Sequence, residues 1–202
     1  LYLTLGLSLA FGIGLFFLLP AGIGGWVEHL LAQTTSALWA GNLLEGLLRL
    51  LLLVGYIWGI GFMPDVRRVF MYHGAEHKTI NAYEAGAELT PEVVTNYPIE
   101  HPRCGTAFLL TLVLLSILVF TALGPMSIWL RLATRILFIP ILAGVAVEYI
   151  RWTANNLGNP IVQLLIKPNL ALQRLTTRTP DLEMLAVAIE SFKSMRKAEA
   201  EM

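Results

Sequence analysis

Two histidines and a glutamate occur within five residues, in the order His73, Glu76, His77. Side chains four residues apart lie on the same face of a helix, so His73 and His77 can direct both imidazoles at one ion. The H-x-x-E-H order matches the inverzincin pattern, in which two histidines hold zinc and the glutamate activates water. Because so short a pattern recurs by chance, it needs support from a second group of ligands.

His101 and Cys104 supply that second group, an imidazole and the only thiol of the chain three residues apart. Tetrahedral zinc sites combine nitrogen and sulfur donors at such short spacings. A single cysteine cannot form an intramolecular disulfide, and in a reducing cytoplasm it stays available as a thiolate. The predicted metal ligands are therefore His73, His77, His101 and Cys104. This donor set favours zinc over magnesium or calcium and puts iron and manganese second.

Three further residues of the same segment form the predicted catalytic set: Glu76, Lys78 and Arg103. Glu76 is the predicted base, and the cations Lys78 and Arg103 would stabilise an anionic ligand or developing negative charge. Glu84 lies about three helical turns beyond His73 and is a candidate partner for a ligand.

Each of these assignments has a structural alternative. His73 and His77 can instead be interfacial histidines hydrogen-bonded to loop backbone, and Cys104 can be a small buried hydrophobic residue. Glu76 can equally be a metal ligand or a helical residue without a catalytic role. Because three of the four histidines and the only cysteine fall between residues 73 and 104, we favour the metal site.

The composition places the chain in a membrane. Of 202 residues, 56% are hydrophobic and 14% charged, and the mean hydropathy is +0.66. A soluble domain carries roughly 25% charged residues, so this chain has too little polar surface to cover a water-soluble globule. The formal net charge is zero, and nothing in that balance suggests a nucleic-acid partner, whose phosphates require a basic face.

Four apolar runs are long enough to be transmembrane helices, since a bilayer core needs roughly 20 helical residues. They are residues 1–19, which end at Pro20, and residues 43–63, 107–123 and 132–150. The chain starts inside the first run, so we expect a polar segment ahead of it. Residues 26–44 predict a separate interfacial helix.

The distribution of basic residues predicts the orientation of these helices. The loop 22–42 has no lysine or arginine, whereas the loop 64–105 has four, and seven more follow residue 150. Both basic segments and both termini are therefore predicted to be cytoplasmic.

The predicted fold is an all-α integral membrane protein of two parts. Residues 1–152 form a transmembrane bundle that includes a cytoplasmic metal-binding loop, residues 64–106, and residues 153–202 form amphipathic C-terminal helices. Residues 161–175 are predicted to be interfacial. Thr179 is the predicted N-cap of a last helix with an apolar stripe at Leu182, Leu185, Ile189 and Phe192.

Two motifs carry a resemblance to a known family: YHGAEHKTIN at residues 72–81 and HPRCGT at residues 101–106. With EYIR at 148–151 and LQRLTTR at 172–178, they resemble the YqhQ-like family of bacterial membrane proteins, a domain of unknown function whose members are commonly labelled metal-dependent enzymes. The resemblance implies a metal and the bacterial inner membrane but no substrate. Family members also carry a glycine-rich segment ahead of the first span and often a cysteine where this chain has Ala82.

Three functions follow as hypotheses. The first is a metal-dependent, hydrolase-like enzyme at the cytoplasmic membrane face, acting on a peptide bond or a lipid head group. The second is a scaffold in which four ligands close a structural site and the last helix binds a protein partner or a second copy of the chain. The third is a transporter, for which only Arg49, Arg135 and Glu148 lie in or near the spans. The predicted surroundings are a lipid bilayer in each case.

Overall fold

The structure, a computed structural model, describes residues 2–31, 35–124, 126 and 128–201. All regular secondary structure in these residues is helical, as the sequence predicts. One π-helical turn, Gly14–Leu18, joins the first two α-helices. The α-helices are α1 (Tyr2–Ile13), α2 (Leu19–Leu31), α3 (Thr35–Ile60), α4 (Pro64–Glu84), α5 (Pro91–Val94), α6 (Gly105–Leu123), α7 (Ile128–Asn155), α8 (Pro160–Thr176) and α9 (Leu182–Ala200).

Four helical segments among the described residues are long and apolar enough to cross a membrane, the number that the sequence predicts. They are Tyr2–Val27, Gly41–Ile60, Gly105–Leu123 and Ala133–Asn155. The predicted separate helix at residues 26–44 is wrong, because these residues are divided between α2 and α3 on either side of three residues outside the described part.

The first span also differs from the prediction at Pro20, which does not end it. Pro20 lies in the first turn of α2, which continues directly from the π-helical turn, and it has no N–H to donate to the preceding turn. The carbonyl oxygen of Phe16, four residues earlier, accepts a hydrogen bond of 3.0 Å from Nε of Arg49 instead. A side chain of the second span thus satisfies the acceptor that proline leaves free, and the apolar helix continues to Val27.

The chain divides into two compact units. The first comprises Leu1–Tyr56 and Phe108–Tyr149, and the second Ile57–Ala107 and Ile150–Met202. The second unit therefore contains the predicted metal-binding loop and the C-terminal helices. The predicted domain boundary at residue 152 stays a prediction.

A buried ion cluster lies in the first unit. The carboxylate of Glu45, only 1% exposed, pairs with Arg49 at 2.9 Å and with Arg135 at 2.6 Å. A charge inside a membrane span is costly unless it is paired. The sequence alone named both arginines but not the carboxylate that joins them.

In the second unit α4 packs against α9 and α5 around a small apolar core. Ala75 and Ala82 of α4 are fully buried there, as are Val94 and Leu185. The last helix begins later than predicted, because the carboxylate of Asp181, not the hydroxyl of Thr179, caps it by accepting a 2.8 Å hydrogen bond from the N–H of Met184.

Candidate metal centre

Helix α4 brings the two histidines of the first motif together. His73 and His77 lie one turn apart, with ring centroids separated by 4.3 Å and ring planes at 67°. The ring of His77 is buried, and that of His73 is partly exposed. The predicted spacing thus places both imidazoles on one helix face.

Backbone carbonyls hold both imidazoles in the same tautomer. Nδ1 of His73 lies 2.9 Å from the carbonyl oxygen of Thr176, and Nδ1 of His77 lies 2.7 Å from that of Ile99. Because a carbonyl oxygen can only accept, each Nδ1 must carry the proton. In a neutral ring Nε2 is then left as a lone-pair donor, which is the usual arrangement of metal-ligating histidines. In the metal-free protein, Nε2 of His73 instead shares a proton with the sulfur of Cys104, which raises the pKa of His73.

Cys104, the residue directly before α6, completes the group. Its Sγ lies 3.3 Å from Nε2 of His73 and accepts a hydrogen bond of 3.3 Å from the N–H of Thr106 in the first turn of the helix. The candidate ligand atoms of His73, His77 and Cys104 all lie within 4.8 Å of one another. Two nitrogens and one sulfur therefore face a common point.

The surroundings favour the thiolate form of Cys104. Burial raises the pKa of the thiol, but hydrogen bonds from His73, His77 and Thr106 outweigh it and lower the pKa to about 5. The hydrogen bond to Cys104 is also the main reason that the pKa of His73 is raised, against the effect of burial. Thiolate is the form of cysteine that binds metals.

In the metal-free protein we expect Cys104 to stay ionised from neutral pH down to about 5, whereas an ordinary thiol ionises near about 8.5. The ultraviolet absorbance of the thiolate, measured across pH against Cys104→Ser as a blank, gives the midpoint. Replacing His73 with alanine removes a hydrogen bond to sulfur and should raise the midpoint. A midpoint typical of a free thiol in the unsubstituted protein would contradict the assignment.

The structure does not bring His101, the fourth predicted ligand, into this group. Its Nδ1 accepts a hydrogen bond of 3.3 Å from the backbone N–H of Arg103, and its Nε2 lies 3.4 Å from the carboxylate of Glu84. Its ring centroid is 6.0 Å from that of His77. Burial lowers the pKa of His101, against the opposing charge of Glu84. With both ring nitrogens occupied by protein groups, His101 flanks the centre.

Arg103, predicted to act on an anion, pairs with Glu84 and is about half exposed. Glu84 therefore contacts both His101 and Arg103, so it links two residues of the second motif to α4. The sequence predicts that Glu84 is the partner of a metal ligand. It does contact a histidine, His101, but this histidine lies beside the three converging groups and is not one of them.

Lys78, also predicted to be catalytic, is engaged with backbone. Its ammonium group donates to the carbonyl oxygens of Thr95 at 2.9 Å and Tyr97 at 2.5 Å. Burial lowers its pKa, against the charge of Glu100. Together with His77 and Asn81, which bonds to the carbonyls of residues 98 and 100, Lys78 fastens residues 95–100 along α4. These contacts give Lys78 a role in holding the loop, and its predicted catalytic role stays a prediction.

Glu76, the predicted base, is exposed on α4 and is not among the three converging groups. It lines a surface cavity of about 150 Å³ between α4 and α9. Its charge nevertheless contributes to raising the pKa of His73, so the carboxylate acts on the centre through space.

Gln173 of α8 is the supporting residue that the sequence alone did not reveal. Its side chain is 0% exposed. Its Oε1 accepts a hydrogen bond of 2.9 Å from the N–H of His101, and its Nε2 donates a hydrogen bond of 2.8 Å to the carbonyl oxygen of His101. This pair of hydrogen bonds holds the loop that carries Cys104. The available signal was a glutamine on the same helix face as Val162, Ile166 and Asn169.

Replacing Gln173 with leucine should leave the N–H and carbonyl of His101 buried without partners, at about 1–3 kcal/mol of unfolding free energy. Because the loop holds Cys104, metal affinity should also fall by roughly tenfold or more. Thermal unfolding in detergent and metal titration measure the two effects. Gln163→Leu, on the exposed side of the same helix, is the matched control and should change neither; equal effects would contradict the role of Gln173.

Within the residues that the structure describes, the fold and the site define a helical protein with four segments apolar enough to span a membrane. Its candidate site is a cluster of two histidines and a cysteine, in which His77 and Cys104 are buried and His73 is partly exposed. Over residues 1–198 the chain matches the family described as "Protein of unknown function (DUF1385)", and it belongs to that family. It is 38% identical over 202 residues to the uncharacterized protein YqhQ of Bacillus subtilis (strain 168), which covers 98% of this chain. The chain spans 64% of the length of that relative. No solved structure matches it. The resemblance drawn from the two motifs is confirmed.

Proposed function

We propose that this chain is a metal-dependent, hydrolase-like membrane protein, in which His73, His77 and Cys104 hold a zinc ion. The proposal depends on one observation above all: carbonyl oxygens hold a proton on Nδ1 of both imidazoles, so both Nε2 atoms face a thiol whose pKa is lowered to about 5 and become free to bind a metal once they release any proton shared with the sulfur. Nitrogen and sulfur donors in this combination prefer zinc.

Three protein ligands would leave a fourth tetrahedral position for water, and a zinc ion so held lowers the pKa of bound water to about 7. This number of ligands separates an enzyme from a scaffold, because a structural site uses four protein ligands. The contacts of His101 with Glu84 and Arg103 favour three. X-ray absorption on the zinc-loaded protein should therefore find two nitrogens and one sulfur from protein plus one light oxygen donor; a third imidazole would establish the scaffold instead.

Within this proposal Glu76 would act as the base for a water molecule on the ion, and its exposed position would let the proton pass to solvent. Arg103 would bind an anionic part of the substrate, a peptide or lipid head group, while Lys78 holds the loop. The basic residues of the loop and of the C-terminal segment favour a site at the cytoplasmic face of the inner membrane, with both termini in the cytoplasm.

Glu76→Gln should leave the zinc content unchanged and lower hydrolysis of an activated ester such as nitrophenyl acetate by about a hundredfold, the usual contribution of a general base. Metal analysis and ester hydrolysis on the same sample measure both. Loss of zinc would make the carboxylate a ligand, and unchanged hydrolysis would remove it from the reaction. Glu88→Gln, a nearby exposed carboxylate, is the control.

A further inference from the structure

One row of apolar side chains on α8 is exposed to the surroundings of the chain. Ile161, Leu164, Leu165 and Pro168 recur at the spacing i, i+3, i+4, i+7, which places them on one helix face. Ile161 is 66% exposed, Leu164 64% and Leu165 44%. Single exposed leucines are ordinary on any protein surface, but a continuous row on one helix face indicates an interaction surface.

The opposite side of α8 is already occupied. Val162, Ile166 and Gln173 are buried within the second unit, and the helix ends at Thr176, whose carbonyl binds His73. A third side, with Gln163, Lys167 and Arg174, is polar and exposed. The exposed apolar row is thus separate from the face that supports the candidate metal centre.

The place of α8 in the chain indicates what covers this row. The fourth candidate span ends at Asn155, and only residues 156–159 separate it from Pro160, where α8 begins. The indole of Trp152, in the last turn of that span, is 50% exposed, as is typical of aromatic residues at a membrane interface. The first residues of α8 must therefore lie close to the bilayer surface.

The charge of the segment specifies the kind of surface. Residues 149–180 contain no aspartate or glutamate and carry four basic residues, Arg151, Lys167, Arg174 and Arg178. Although Arg174 pairs with Glu100, Lys167 lies beside the apolar row. Such a basic, amphipathic helix binds lipid surfaces by burying its apolar row and attracting anionic head groups.

We propose that the outer face of α8 lies along a bilayer surface containing anionic lipid, with Ile161, Leu164, Leu165 and Pro168 in the acyl boundary and Lys167 among the head groups. The inner face of the same helix holds the loop of Cys104 through Gln173, so the lipid surface also supports the centre from outside. This surface does not depend on whether a metal binds.

Nitroxide labels on the full chain in vesicles of mixed phosphatidylglycerol and phosphatidylcholine test the proposal. Leu164→Cys and the control Gln163→Cys are labelled, and the unsubstituted chain corrects for any label on the buried Cys104. Oxygen, which concentrates in lipid, should relax the label at position 164 several-fold more than a water-soluble nickel complex does. The label at position 163 should show the reverse preference.

A label at position 164 that nickel reaches more easily than oxygen places the row in water and overturns the proposal. Shielding from both, with spectral broadening between labels, would show a second copy of the chain on this face and would also overturn it. The lipid charge is tested in vesicles of phosphatidylcholine alone, where the preference of position 164 for oxygen should decrease. An unchanged preference there would overturn the requirement for anionic lipid.

Discussion

Replacing Cys104 with serine should weaken the binding of Zn²⁺ or Co²⁺ by about a hundredfold or more, the largest loss that we expect from any single substitution. Removal of groups that only orient metal ligands typically costs tenfold to a hundredfold, and Cys104 supplies the one sulfur of the group, held as a thiolate by His73, His77 and Thr106. A hydroxyl in its place stays protonated at neutral pH. Competition titration with a coloured chelator gives the affinity.

His101→Gln is the informative comparison for Cys104→Ser. His101 is as buried as His77 but contacts Glu84 and the backbone of Arg103 instead of the common point. We expect it to keep a stoichiometry of one and to lose much less affinity. In the Co²⁺-loaded protein, the sulfur-to-metal absorption band should persist in His101→Gln and disappear in Cys104→Ser. Equal losses in both variants would restore His101 as a ligand.

Replacing Gly74 with alanine should destabilise the protein strongly, although alanine is the better helix former by about 1 kcal/mol. A Cβ at position 74 would collide with the backbone carbonyl oxygen of Arg178 and would lie 2.9 Å from Cδ1 of Ile99. The N–H of Arg178 is bonded to the carbonyl of Phe70 at 2.9 Å, so this backbone cannot move away without losing that bond. We expect a loss of roughly 3 kcal/mol or more in unfolding free energy.

Gly59→Ala is the matched control for Gly74→Ala. Gly59 also lies inside a helix, α3, but a Cβ there would meet nothing within 4 Å. It should therefore be neutral or stabilise by up to about 1 kcal/mol. Thermal unfolding in detergent compares the two variants. The segment 176–178 also carries the Thr176 carbonyl that binds His73, so metal binding should weaken in Gly74→Ala and not in Gly59→Ala. Equal stability of the two variants would show that the backbone at Arg178 can move away from the added Cβ at little cost.

Composition predicted the number of spans correctly, but most of the predicted end residues of the spans were wrong. Runs of about 20 apolar residues require a bilayer or a large core, so their number was readable from the sequence. Pro20 misled the prediction because proline breaks a helix only where its missing hydrogen bond has no substitute, and here Arg49 supplies one to Phe16. Such a substitute comes from another helix and leaves no local pattern.

The sequence by itself determined the helical membrane class and the chemistry of the donors, since hydropathy and the spacing of His73 and His77 act along a single helix. Tertiary structure alone decided that Cys104 joins these histidines while His101 turns to Glu84, and that Lys78 serves the loop. It also decided that α8 brings Gln173 and the carbonyl of Thr176 to the site. The physical reason is that these contacts join segments far apart in the chain, and many of them use backbone atoms that every residue possesses. The residue types along the sequence therefore do not indicate which segments will meet.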